Sequence, residues 1–390
     1  MREHLAKLFA VALFALPVLG VYLPGLQPNA ENRALAPIPP LPAGVGQSLL
    51  WPGAMEAGIN DRFPLRPTLV RSNTRLRHAL FGQFPTIQVA AGRDGYMFLA
   101  NHTVQGAPYG AIRIACGDGY DGVDRIVQEI NYFEKFFARR GLKPKLLIVP
   151  SGPLVYNLHL PAWMAARCPD HAAPALAILA SPWLQPAARA LSYFPLDVLR
   201  ALGPDTPPQP QHYFHWSGDG PRAVAEAAEQ RFWGRAASVA SPLATAYAPG
   251  PSDYQSLYPG IEIIRTVGTP VLAGSSITAC DGPACLPELA GAAARLHMVA
   301  RYRNSAPGLG PRLVILSDSF GPNALPRFAR FHEEVVLIGT NNMPLLDAAE
   351  KARLRAFVFR PDSKDELLYL YHDATVYSSR VLGDMQFFAP

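Results

Sequence analysis

From its amino end the chain opens on a short charged stretch, Met1 to Lys7, followed by an apolar run from Leu8 to Leu26. At about 1.5 Å per helical residue such a run reaches across roughly 30 Å of hydrocarbon, and positive charge before it is the pattern of an export signal. Its length favours an uncleaved membrane anchor over residues 1–26; a signal peptide cleaved at Ala30 is the alternative. The Pro-rich stretch Ala36 to Ala43 reads as an extended arm. Residues 50–82 carry apolar positions at helical spacing, among them Met55, Ile59, Leu69, Leu76 and Leu80, and Gly92 to Leu99 reads as a turn feeding a short strand. Residues 27–100 therefore form an arm and an N-terminal helical segment.

From about residue 122 the pattern alternates. Val123 to Arg140 has helical spacing, and Lys145 to Val149 is a short, mostly apolar run ending in a loop. Similar runs recur at Leu313 to Leu316, at Val335 to Ile338 and, less distinctly, at Ala356 to Phe359. Short apolar runs of this kind suit strands buried on both faces of a parallel sheet. The expected architecture over residues 101–390 is α/β, an open, mostly parallel sheet with helices on both faces, whose ligands bind at the carboxyl ends of the strands. Residues 169–210 and 234–290 are rich in Pro, Ala and Ser and read as insertions and long loops.

Composition narrows the function. With 390 residues, 49% hydrophobic and 17% charged, extensive disorder is excluded, and 40 Pro with 31 Gly call for many turns and long connections. A net charge of +5 permits an anionic partner, but no basic run is interleaved with aromatics, so nucleic acid is set aside. Four cysteines in an exported chain suggest two disulfides, and the preferred pairing is Cys280–Cys285, closing a tight loop, with Cys116–Cys168. A zinc site lacks the usual CxxC or HxxxH spacing.

Two segments carry candidate chemistry. In Leu313-Val-Ile-Leu-Ser-Asp-Ser-Phe-Gly321 a buried strand runs into a small, polar, turn-prone stretch. Ser319 then sits at a strand-to-helix turn, where backbone N–H groups can hold an oxyanion; a plain helix cap is the alternative. Asp318 reads as ordering that turn. In His212-Tyr-Phe-His-Trp216, His215 precedes an Ala-rich helix and is the candidate general base; a buried aromatic cluster is the alternative. Gly339-Thr-Asn-Asn342 follows a strand and offers Asn341 as an oxyanion donor, or is a simple turn.

Taken in order, these pieces resemble the AlgX/AlgJ-type alginate O-acetyltransferases, whose catalytic domain is an SGNH-hydrolase-like three-layer α/β/α domain. Asn60-Asp-Arg-Phe-Pro-Leu-Arg66 is similar to that family's "D-x-F-P-x-R", and Gly92-Arg-Asp-Gly-Tyr-Met-Phe98 to its "G-x-D-G-W-L-F". Leu147 to Ser151 is similar to the strand and loop that follow. His215-Trp216 matches the end of "D-x-H-W", and Ser317-Asp-Ser-Phe320 the last three residues of "G-D-S-F". The resemblance implies a Ser319 nucleophile, a His215 base and acetyl transfer to an exported polysaccharide in the periplasm. It further implies a membrane-bound O-acyltransferase that supplies the acetyl groups and other export proteins as partners, with no metal or cofactor. Three departures stand out. Tyr213 occupies the place of the triad aspartate, Ser317 that of the first glycine, and Gly152 that of a lysine. A Ser–His dyad, or a carboxylate from elsewhere such as Asp205 or Asp219, then stands in for the missing third member. On this reading Tyr213→Asp should raise activity, and an inactive polysaccharide-binding scaffold or an acetyl esterase are the competing functions.

Overall fold

The computed structural model describes residues 36–63, 66–104, 106–169, 172–203, 207–360 and 363–387, with Lys7 and Val11 before them. The expected anchor or signal over residues 1–26, its cleavage at Ala30, and Asp205 lie outside the described residues. No described helix is long and apolar enough to cross a membrane.

The chain divides into two compact units. The smaller comprises residues 1–86 and 255–262. Its single expected helical stretch is two helices, Val45–Arg62 and Arg66–Phe81. The break follows from Pro64, because a proline ring disfavours helical backbone in the residue before it, and Phe63 is extended at φ −64°, ψ 118°. Arg75 Nε donates to Gly260 O at 2.7 Å, and Phe84 meets Tyr258 at 4.9 Å between ring centroids. The helical spacing of Leu69, Leu76 and Leu80 does not mark a core face, since the three are 55%, 58% and 63% exposed.

The larger unit comprises residues 87–254 and 263–390. Its strands are β1 (Val89–Ala91), β2 (Met97–Leu99), β3 (Lys145–Val149), β4 (Ser192–Tyr193), β5 (Thr245–Pro251), β6 (Ile264–Pro270), β7 (Ile277–Asp281), β8 (Val299–Asn304), β9 (Leu313–Ser317), β10 (Glu334–Gly339) and β11 (Glu366–His372). Seven of them form one sheet in the order β4-β3-β11-β9-β10-β8-β7. The first five run parallel, and β8 and β7 extend the sheet antiparallel. The expected mostly parallel α/β sheet is therefore present, and the apolar runs at β3, β9 and β10 are buried in its centre.

Register fixes the two faces. Leu337 of β10, Ile315 of β9 and Leu368 of β11 lie side by side, and Gly321 opening helix Gly321–Phe328 sits against Leu337. Tyr369 points the other way, toward Phe133 and Phe137 of helix Val123–Ala138 at 5.0 and 5.9 Å. Helices thus cover both faces of the sheet.

Two expectations need correction. Ala356 to Phe359 is not a strand; most of it closes helix Ala348–Val358, which opens on a capping box between Asp347 and Glu350. The strand lies at β11, where Leu368, Tyr369, Leu370 and Tyr371 are all fully buried. Residues 169–210 and 234–290 are not simply loops: the first holds helices Pro174–Ala180, Pro186–Leu191 and Leu196–Arg200, and the second the β5–β6 hairpin and β7.

Both expected disulfides form, with Cα separations of 4.7 Å for Cys116–Cys168 and 5.6 Å for Cys280–Cys285. Chain-entropy theory weights them unequally, because the first closes a separation of 52 residues and the second one of 5. Replacing Cys116 and Cys168 by serine is expected to lower unfolding free energy by about 4 kcal/mol, and the same change at Cys280 and Cys285 by about 2 kcal/mol. Urea unfolding followed by far-UV circular dichroism measures both.

Candidate active site

The carboxyl ends of the parallel strands gather the candidate residues at one edge. Ser317 ends β9, and Asp318 and Ser319 carry the chain into helix Gly321–Phe328. Asp318 orders this turn as expected: it is buried, accepts from the Phe320 N–H at 3.0 Å, and accepts from His372 N–H and Thr375 Oγ1 at 2.9 and 2.7 Å. The chain doubles back tightly here. A Cβ at Gly321 would lie 2.6 Å from Leu337 Cδ1 and from both Cβ and Oγ of Ser317, so residue 321 has room for glycine only. Ser319 is left exposed above the sheet.

His215 approaches from the loop before helix Asp219–Trp233. Two bonds tie that loop to the serine turn: Trp216 Nε1 donates to Phe320 O at 2.9 Å, and Asn323 Nδ2 donates to Trp216 O at 2.8 Å. The result is that Ser319 Oγ and His215 Nε2 stand 2.9 Å apart. The two residues singled out from the sequence meet within hydrogen-bonding reach although 104 positions separate them.

The third member is one the sequence did not disclose. His215 Nδ1 lies 2.8 Å from Asp253 Oδ2, and Asp253 also accepts from the backbone N–H groups of Phe214 and His215 at 2.8 and 2.9 Å. An ionised carboxylate only accepts, so Nδ1 carries the proton and Nε2 is left to accept from Ser319 Oγ–H. Asp253 stands just beyond β5, on the connection to β6. Ser252 Oγ donates to His212 O at 2.6 Å, and the Tyr213 hydroxyl donates to Pro251 O at 2.8 Å. The hairpin is thereby fastened to the segment that bears His215.

Of the alternatives for holding His215, a carboxylate from elsewhere is the one present, and it is Asp253 rather than Asp219. Tyr213 does not orient His215; it secures the strand end that delivers Asp253. Burial first, and then the Asp253 charge, push its hydroxyl pKa upward, so it stays a neutral donor. Asp219 is engaged elsewhere, with Arg222 Nε at 2.7 Å and with the Tyr247 hydroxyl. The local sequence around Asp253, Gly250-Pro-Ser-Asp-Tyr254, reads as an ordinary turn. With 38 positions separating it from His215, no spacing signals the pairing.

A cleft of about 350 Å3 opens beside Ser319, bordered among others by His102, Asn341, His372, Thr375 and Arg380. Asn341 follows β10 and borders this cleft with Ser319, and its side-chain amide makes no hydrogen bond among the described residues. The Ser319 backbone N–H is likewise unbonded among the described residues. Among the described residues no group of His, Cys, Asp and Glu side chains is placed to hold a metal ion.

No protein-family model matches the chain, and no curated protein sequence does. Among solved structures it is similar to Bacillus cereus PatB1, at 11% identity and a TM-score of 0.46 over 74% of this chain and 96% of that one. It is also similar to Pseudomonas aeruginosa AlgX, at 12% identity and a TM-score of 0.44 over 77% and 66% of the two chains. A further similar structure is the O-acetyltransferase domain of Pseudomonas putida AlgJ, at 13% identity and a TM-score of 0.41 over 76% and 98%.

Proposed function

We propose that this chain is a serine acyltransferase that moves an acetyl group onto hydroxyls of an exported polysaccharide. The observation that carries the reading is the continuous chain Ser319 Oγ, His215 Nε2, His215 Nδ1, Asp253 Oδ2, with links of 2.9 and 2.8 Å. Ser319 Oγ attacks the acyl carbonyl carbon as its proton passes to Nε2. Asp253 stabilises the imidazolium, and the leaving group departs with that proton, leaving an acyl-serine. An acceptor hydroxyl then gives its proton to Nε2 and takes the acyl group, and the proton returns to Ser319. The free Ser319 N–H and the Asn341 amide are the groups available to the tetrahedral oxyanion.

Acetyl as the group and polysaccharide as the acceptor rest on the motif resemblance, together with a membrane-bound O-acyltransferase as donor and export proteins as partners. Two disulfides and the N-terminal apolar run support a periplasmic site of action, anchored at the inner membrane. Esterase activity is the second reading, favoured by the exposure of Ser319, which lets water compete as acceptor.

The test is to supply an activated acetyl ester with and without oligosaccharide acceptors and to follow acetylated sugar and free acetate separately. Transfer that rises with acceptor at the expense of acetate supports the proposal, and acetate alone with every acceptor supports the esterase. Asn341→Ala is expected to lower kcat by about a hundredfold to a thousandfold with KM little changed, as loss of an oxyanion donor does. An equal rise in KM with kcat intact would assign Asn341 to ground-state binding instead.

A further inference from the structure

Beneath the cleft lies a closed set of polar side chains that acyl transfer does not use. His372 ends β11, and its ring borders both the cleft and an inner cavity of about 20 Å3. The ring stacks on Phe320 at 4.5 Å and 19°, and meets Phe214 at 5.1 Å and 70°. Phe214 and Phe320 meet each other at 5.2 Å and 86°. Phe320 follows Ser319 and Phe214 precedes His215, so the three rings form a triangle to which both reacting side chains are attached.

Asp373, the next residue, is fully buried and accepts from the Ser151 N–H at 3.1 Å. Its other oxygen, Oδ1, stands 3.4 Å from His372 Nε2. Asp373 Oδ1 and His372 Nε2 are both buried without a hydrogen-bond partner, and the two residues border, with Ser151, the inner cavity, which has room for one water. Buried polar groups are seldom left unpaired, so this grouping calls for a reason.

We propose that Asp373 and His372 are positioning residues for the Ser319–His215 pair, sharing a proton across the inner cavity and so fixing the ring triangle beneath the triad. The inference rests on the acyl-serine reading above. Burial pushes the Asp373 carboxyl up to about 7 and the His372 imidazole down to about 3, which makes the first a neutral O–H donor below about pH 7 and the second a bare nitrogen acceptor above about pH 3. The other titratable groups near them are His102, His215, Asp318 and Tyr377. His102 is held toward its neutral form by burial, burial raises the Tyr377 hydroxyl, and Asp318 is committed to the serine turn. The favourable neutral pair is therefore present between about pH 3 and pH 7, and because the folded Asp373 value is raised it is lost as pH rises through about 7.

The experiment measures kcat and KM of the intact protein on an activated acetyl ester across neutrality, with Ser319→Ala subtracted. Wild-type kcat is expected to fall about tenfold over the pH unit above the Asp373 midpoint, with KM steady within about twofold. Asp373→Asn supplies a permanent N–H donor and is expected to abolish that limb, whatever its absolute kcat. His372→Phe keeps the ring packing but has no acceptor, and is expected to lower kcat about tenfold and to lose the limb as well. An alkaline limb unchanged in either variant overturns the proposal. So does a wild-type profile without the limb, which decides the matter even where a variant fails to fold. Turnover that survives Ser319→Ala counts instead against the acyl-serine reading.

Discussion

Ser319→Ala is expected to reduce turnover of an activated acetyl ester by about five orders of magnitude, to the level that binding and oxyanion contacts alone sustain. The expectation follows from Ser319 Oγ standing 2.9 Å from His215 Nε2, where among the described residues no other side chain hydrogen-bonds to that nitrogen. Stability should hardly change, because Ser319 is exposed and the turn is held by Asp318 rather than by the serine. Steady-state kinetics with a thermal unfolding control reads both. A variant with wild-type kcat would remove Ser319 from the chemistry.

The second large effect separates two side chains that the sequence leaves easy to confuse. Asp253→Asn is expected to lower kcat by roughly four orders of magnitude, since an amide at that position lets the imidazole adopt the wrong tautomer. Tyr213→Phe should lower kcat less than about threefold, because it loses one hydrogen bond to Pro251 O and leaves the carboxylate in place. Tyr213→Asp, which would restore the family pattern, is now expected to lower activity. The new carboxylate gives up the bond to Pro251 and sets a like charge near Asp253. A gain of activity in Tyr213→Asp, or an indifferent Asp253→Asn, would reverse the assignment.

These contrasts show what the sequence made legible. β3, β9 and β10 were readable because a strand buried on both faces is a short unbroken apolar run, and Ser319 because a polar turn follows such a run directly. His215 was readable from its aromatic neighbours and the helix after it. Asp253 was not, because its role comes from the β5–β6 hairpin folding back onto residues 212–215, a long-range event that leaves no local periodicity. β11 was missed for a different reason: Ala-Phe-Val-Phe at 356–359 is as apolar as a strand, and the capping box that starts the helix, Asp347 with Glu350, lies nine and six residues before Ala356. The 66–81 helix carries the opposite lesson, since helical spacing of leucines predicted the element but not a buried face.

The central claim is that Ser319 carries the acyl group between donor and acceptor. Intact-protein and peptide mass spectrometry after brief exposure to an activated acetyl ester tests it most directly. The wild-type chain should gain one acetyl group on the peptide bearing Ser319, and acid quenching should preserve it. Adding a competent sugar acceptor should discharge it, and Ser319→Ala should never acquire it. An unmodified Ser319 in a protein that is turning over, or an acetyl group found on another residue, would contradict the account.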